Sequence, residues 1–201
     1  MSEHYFTNNE NLKSELRLID YDYNDYKFKF YSDNGVFSKN KIDYGSRLLV
    51  ETFLKDNISF DNFLDVGCGY GYIGITVSKI KQVSGDLIDI NNRALHLAKR
   101  NIELNKVSCN AFYSDSYENI NKTYDLIITN PPIRVGKEIL LNILIGAKKH
   151  LKTNGYMYFV IHKDQGAKTI LKTMKEYYEC DVIEKNKGFY IFKAKNIDIA
   201  K

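Results

Sequence analysis

The chain of 201 residues contains only three cysteines, Cys68, Cys109 and Cys180, and no two are close in sequence. There is no CxxC pair and no Cys/His cluster, which argues against a disulfide framework and a zinc site. The four histidines, His4, His96, His150 and His162, show no metal-ligand spacing and read as surface or capping residues. No apolar run approaches the ~18 residues that would cross a bilayer. The first residues carry neither the basic nor the apolar segment of a secretory signal. Together these absences predict a cytoplasmic protein. Repeats and low-complexity segments are also missing. Proline occurs only twice, at Pro131 and Pro132, so that one dipeptide needs a reason.

Hydrophobic residues make up 44% of the chain and charged residues 27%, the balance of a globular protein with a real core. The net charge of +4 is unevenly spread: residues 1–60 carry −2, residues 61–130 carry −1, and residues 131–201 carry +7. A basic last third fits a polyanion partner, and it equally fits an ordinary lysine-rich surface.

Two β-favourable runs, 15–23 and 26–31, flank Asn24-Asp25 and predict a hairpin. A helix follows from Tyr44, with Leu48, Leu49, Thr52 and Phe53 on one face. From Phe60 onward strands and helices alternate. Strands are expected at 62–66, 82–89, 108–113, 124–129 and 156–162, and helices at 72–81, 92–105, 137–151 and 164–178. Asn91 is placed to cap the second of these helices. Two closing runs, 180–184 and 189–193, predict an antiparallel pair. The expectation is a mostly parallel seven-stranded α/β sheet with helices on both faces and a C-terminal antiparallel strand pair. Residues 1–43 would form an extension carrying the hairpin, and residues 44–201 the main domain.

Asp65-Val-Gly67-Cys-Gly69-Tyr-Gly71 follows a strand and opens a helix. Glycines there let the backbone approach a ligand, and the helix start offers unpaired N–H groups. Gly69 to Gly74 satisfies G-x-G-x-x-G, so a nicotinamide oxidoreductase must be weighed. Asp65 argues against it, because a carboxylate beside the loop repels a pyrophosphate and suits an ammonium. Asp89, ending the next strand about 20 residues on, is placed to accept ribose hydroxyls. A nucleoside with an amino-acid tail and no phosphates meets both demands, which points to S-adenosylmethionine. Asp115, at the third strand end, could accept from an adenine amino group, or sit in a plain turn.

Asn130-Pro131-Pro132-Ile133 closes the fourth strand, beside the glycine loop of the first. Two prolines forbid helix and stiffen the turn. The Asn130 side-chain carbonyl and the Pro131 carbonyl could then converge on one exocyclic amine and offset the charge it acquires. A cytosine-C5 methyltransferase would need a nucleophilic cysteine after proline, and neither proline precedes one.

These elements together resemble class I S-adenosylmethionine-dependent methyltransferases that methylate amino nitrogens. Further stretches narrow the resemblance: Gly35-Val-Phe-Ser38, Asp43-Tyr-Gly-Ser-Arg-Leu-Leu49, Asp89-Ile-Asn91, Asn130 to Lys137, and Lys163-Asp-Gln-Gly-Ala167. They are similar to the "methyltransferase small" domain of bacterial small-subunit ribosomal RNA guanine-N2 methyltransferases, over about residues 4–194. The resemblance implies a Rossmann-like fold. It implies Asp65, Gly67, Gly69 and Gly71 at the methionine part, Asp89 at the ribose, and Asp115 near the adenine. Asn130 would face both cofactor and target, with Pro131, Pro132 and Ile133 completing the grip on the amine. Arg134, Lys137 and Lys163 would meet RNA phosphates. In the wider group the fourth motif residue is often Phe or Tyr, able to stack on a flipped base; Ile133 has no π face. The longer relatives carry a degenerate copy of the domain in front. RNA contacts are therefore expected from this domain or from a partner, ribosomal RNA or the small subunit being the substrate. The same turn also serves enzymes acting on release-factor glutamines and on adenine N6. A silent RNA-binding module of this fold is the non-enzymatic alternative.

Overall fold

The computed structural model describes residues 14–36, 38, 40–132 and 136–198. Its first two strands, β1 (Arg17–Tyr23) and β2 (Tyr26–Ser32), form the expected hairpin, a sheet of their own. Asn24 takes the left-handed backbone, φ +49°, that its two-residue turn requires. The central sheet contains β3 (Phe63–Val66), β4 (Gly85–Asp89), β5 (Cys109–Tyr113), β6 (Tyr124–Thr129), β7 (Leu151–His162), β8 (Glu179–Asn186) and β9 (Phe189–Lys195). Their order is β5-β4-β3-β6-β7-β9-β8. The first five run parallel, and β9 is antiparallel to both β7 and β8. The chain order reverses beside β3, so the ends of β3 and β6 open the crevice where such sheets bind ligands.

The helices are α1 (Tyr44–Leu54), α2 (Tyr72–Lys81), α3 (Asn92–Asn105), α4 (Gly136–Gly146) and α5 (Ala167–Met174). One apolar cluster lies on the face of the sheet covered by α1, α2, α3 and the hairpin. A second lies beneath α4 and α5. Among the described residues no helix is long and apolar enough to cross a membrane.

Several bounds shift: the strand expected at 82–89 starts at Gly85, the one expected at 156–162 starts at Leu151, and the helix expected to reach 178 ends at Met174. In α1 the buried positions are Gly45, Ser46, Leu49, Val50 and Phe53, while Leu48 and Thr52 are half-buried. The helix expected to reach residue 151 stops as α4 at Gly146, runs on as a 3₁₀ turn through His150, and Leu151 opens β7. Tyrosine hydroxyls take over its last carbonyls: Tyr117 donates to Ile143 O (3.0 Å) and Tyr178 to Leu144 O (2.9 Å). The helix expected from residue 164 begins as a 3₁₀ turn at 163–165. Gly166, at φ +80°, breaks it before α5.

Two asparagines of α3 attach the hairpin to the domain. Asn101 accepts from the Tyr31 N–H (2.7 Å) and donates to the carbonyls of Tyr31 (2.9 Å) and Tyr70 (2.8 Å). Asn105 does the same for Lys29, at 3.2 and 2.8 Å. The free edge of β2 thus finds partners on a helix, and Tyr70 ties it to the glycine loop. Below it, Phe28 stacks on Phe30, and Phe30 packs on Tyr70 and Tyr72. Asn101→Ala leaves three backbone groups without this partner, the Tyr70 carbonyl buried and the two of Tyr31 half-buried. It is expected to cost about 3 kcal/mol in urea unfolding; a loss below about 1 kcal/mol would remove Asn101 from this role.

Candidate functional site

β3 ends at Val66 and α2 starts at Tyr72, so the loop between them is only Gly67 to Gly71. Gly67, Gly69 and Gly71 all have positive φ, +71°, +56° and +92°. At Gly71 a Cβ would come within 2.8 Å of Ile75 Cδ1, a side-chain end that can shift, so it is the left-handed φ of +92° that calls for glycine. At Gly67 and Gly69 a Cβ would meet nothing within 4 Å. Those two glycines border open space, where backbone is accessible to a close approach.

Both acids named from the sequence meet this loop. The Gly74 N–H donates to Asp65 Oδ2 (2.8 Å), and Asp65 is fully buried. Its Oδ1 is buried with no hydrogen-bond partner among the described residues. Asp65 therefore shapes the loop from beneath and does not line it. Asp89 accepts from the Gly69 N–H through Oδ2 (2.8 Å) and from the Asn91 N–H through Oδ1 (2.9 Å). These bonds lock the glycine loop to the start of α3 and leave further lone pairs on both oxygens. Burial pushes the Asp65 carboxyl up to about 7, offset in part by the Gly74 N–H, and the charge of Asp89 adds to the rise. Burial likewise raises Asp89, against the N–H groups of Asn91 and Gly69. Neither acid has an ion-pair partner among the described residues. An orphaned oxygen, two destabilised carboxylates and an open glycine cradle fit a cationic ligand with hydroxyl donors. S-adenosylmethionine carries both features.

Asp115 is exposed in the turn after β5. The neighbouring Ser114 N–H donates to the Asp89 carbonyl (3.2 Å), which brings the turn to the same sheet edge. The plain-turn geometry anticipated as an alternative is what forms there: the Glu118 N–H donates to the Asp115 carbonyl (3.1 Å).

β6 lies between β3 and β7, so Asn130 emerges between the glycine loop and the end of β7. Thr129 Oγ1 donates to Val66 O (2.7 Å) and pins the two strand ends together. Asn130 Nδ2 donates to Asp43 Oδ2 (3.1 Å) and to Ser46 Oγ (2.8 Å). The same Asp43 oxygen accepts from the Ser46 N–H (2.8 Å) and caps α1. A carboxylate only accepts, so the amide nitrogen must face it, and the amide oxygen is presented on the other side. Oδ1 accepts from no described residue. Sequence reasoning missed Asp43 and Ser46 as partners of Asn130. The N-cap pattern at Asp43 is readable, but its bond to a residue 87 positions away is not.

Beyond Asn130, between α4 and the ends of β7 and β9, lies a cleft of about 490 Å³. Pro132, Lys137, Leu140, His162, Gln165 and Phe189 are among its walls. Lys137 of the expected RNA set lines it. Lys163 is exposed next to it, its N–H bonded to Gly188 O (2.7 Å). Pro131 is buried and Pro132 half-buried. Ile133 and Arg134 lie outside the described residues, as does Phe37. His162 is a cap, as expected: its Nδ1 accepts from the Asp164 N–H (3.4 Å). Its place in the cleft wall, and that of Phe189, had no signal in the sequence.

Residues 27–193 match the family model of the methyltransferase small domain. The chain is 40% identical to an uncharacterized Bacillus subtilis protein, YbxB, over 98% of this chain and all of that one. It is 34% identical to ribosomal RNA small subunit methyltransferase C of Buchnera aphidicola, over 80% of this chain and 48% of the relative. The structure of the T. thermophilus 16S rRNA N2 G1207 methyltransferase, in complex with AdoMet and guanosine, matches with a TM-score of 0.82 at 20% identity. That match covers 92% of this chain and 52% of the other. The chain thus spans about half the length of these rRNA methyltransferases, and the structural likeness speaks for the fold.

Proposed function

The chain belongs to the methyltransferase small domain family, and from that premise we propose that it methylates the N2 amine of a guanine in small-subunit ribosomal RNA. The family's methyl donor is S-adenosylmethionine. One observation carries the reading: Asn130 is held by its amide nitrogen, so that its carbonyl oxygen, which accepts from no described residue, is turned away from Asp43 at the end of β6, beside the glycine loop.

Gly67 and Gly69 would take the amino-acid part of the cofactor, and Asp89 the ribose hydroxyls through its unused lone pairs. Asp65, buried below, would act through its charge and through the loop that it holds. Asp115 is available at the adenine edge. When bound, the cofactor supplies an electrophilic methyl group on a sulfonium. Asn130 Oδ1 and the Pro131 carbonyl would accept the two protons of the target amine. That leaves the nitrogen lone pair directed at the methyl carbon and offsets the positive charge that grows on nitrogen. No strong base is required of the chain, because the product ammonium is acidic and releases its proton to water. Lys137 and Lys163 beside the cleft suit the phosphates of the strand, a salt-dependent contribution. The family relatives named for ribosomal RNA support this acceptor over a glutamine amide.

The test is direct. The protein is incubated with labelled S-adenosylmethionine and 30S subunits from cells lacking it, and the digested nucleosides are separated. Label in N2-methylguanosine is the expected result. Label in another nucleoside would overturn the base. Label absent from RNA, with the cofactor bound, would point to a protein glutamine as acceptor or to a silent binding module.

A further inference from the structure

The sequence supplies no ring at position 133, yet the cleft beyond Asn130 has two. His162 closes β7 and Phe189 opens β9, and the two are register partners across the antiparallel pair. Their rings meet edge to face, centroids 4.8 Å apart at 66°. Phe189 also leans on Tyr44 (5.6 Å, 49°). Against Gly45 it is so close that a Cβ there would stand 2.9 Å from its Cε1. Gly45 lies between Asp43 and Ser46, the residues that orient Asn130. One turn of α1 therefore sets both the amine acceptor and the ring. Pro132 and the buried Leu140 give apolar walls.

The polar groups of the cleft are mostly donors. Gln165 Oε1 accepts from the His162 N–H (2.7 Å), which fixes the amide and leaves its Nε2 hydrogens to serve a ligand. Lys137 has no acceptor at all. Asp164 also lines the cleft; its N–H donates to His162 Nδ1 and its carboxylate is largely exposed to solvent. Guanine presents two acceptors, O6 and N7, on the edge where adenine presents one acceptor and one donor.

We propose that this cleft is the nucleobase pocket. Phe189 and His162 are its stacking wall, in place of a motif aromatic, and Lys137 and Gln165 select guanine by its O6/N7 edge. The proposal rests on the reading that Asn130 marks the transfer point. A cleft of about 490 Å³ is of the size that holds a nucleoside, and aromatic stacking of a base is worth enough to decide its binding.

The experiment measures nucleoside binding by saturation-transfer NMR to the protein loaded with S-adenosylhomocysteine. Guanosine is expected to bind at least tenfold more tightly than adenosine. Phe189→Leu should weaken guanosine by on the order of tenfold, Phe189→Tyr by less than threefold, with S-adenosylhomocysteine affinity unchanged in both. Wild-type guanosine affinity in Phe189→Leu would overturn the stacking wall, and equal binding of guanosine and adenosine would overturn the edge selection. The labelling assay separates the two readings. N2-methylguanosine formed with an unchanged RNA KM in Phe189→Leu keeps the function and removes the pocket. Label in a different nucleoside, with KM raised in Phe189→Leu, keeps the stacking wall and removes the guanine assignment.

Discussion

Asn130→Ala is expected to lower the single-turnover rate of methyl transfer at least a hundredfold, while cofactor affinity falls less than tenfold. The magnitude follows from the loss of one preorganised partner for charge that develops in the transition state, which costs about 10²–10³ in rate. Asn130 is half-buried at a strand end, so the truncation should fold. Asn130→Asp is expected to fail as badly. It would set a second carboxylate against Asp43 Oδ2, which now accepts from the amide at 3.1 Å. Asp43 is a positioning residue, and it allows a graded test. Asp43→Ala frees the Asn130 amide to turn and removes the cap of α1, and should cost about tenfold in rate with little change in RNA KM. Both of its bonds reach one oxygen, so Asp43→Asn can keep them, since asparagine caps as well as aspartate. It should restore most of the rate. A thermal midpoint that falls equally in both variants, with equal activity, would reduce Asp43 to a helix cap.

Asp89→Asn is expected to weaken S-adenosylmethionine binding about a hundredfold, read by calorimetry. An asparagine has one acceptor atom where Asp89 uses two, on the Gly69 and Asn91 N–H groups. It also lacks the charge that would strengthen bonds from the ribose hydroxyls, each worth about 1.5–3 kcal/mol. The same carboxylates give the binding a pH dependence with a definite sign. Asp65 is raised to about 7 and Asp89 is also raised. The free protein thus holds extra protons in mildly acidic solution, and a cationic ligand favours the ionised forms. Affinity should therefore rise with pH up to about 7 and then level, with proton release on binding below that point. Asp65→Asn keeps an acceptor for the Gly74 N–H and should flatten the profile. It should also make the free protein more stable, by an amount that grows from about pH 4 and levels above about pH 7, because ionised Asp65 is costly only in the folded state. Affinity that is flat with pH in the native protein would remove the electrostatic coupling of both acids to the cofactor's charge.

The alternation of strand and helix, the hairpin at Asn24, the Asn91 cap, the glycine loop and the stiff Asn130-Pro131-Pro132 turn were all legible in the residues. Each rests on a local constraint: a periodicity, a φ angle that only certain residues adopt, or a side chain that bonds within its own turn. Those constraints act over a few residues, so they survive in a linear string. Element ends were less legible. The hydroxyls that close α4 come from Tyr117 and Tyr178, on either side of it in the chain, and the early break before α5 was written only in Gly166. Along the sequence, Asp65 reads as a group facing the ligand; burial beneath the loop made it a support, with one oxygen unpaired among the described residues. What only the tertiary structure decided is how distant segments meet at the C-terminal edge of the sheet. Strand order sets β6 between β3 and β7, α1 brings Asp43 and Ser46 to Asn130, and the antiparallel return of β9 sets Phe189 against His162. None of these pairings lies within the reach of a turn or a helix, because each depends on the closure of a whole sheet and its packed layers. The residues themselves therefore determined the chemistry available to this protein, and the packing of the sheet determined where that chemistry is aimed.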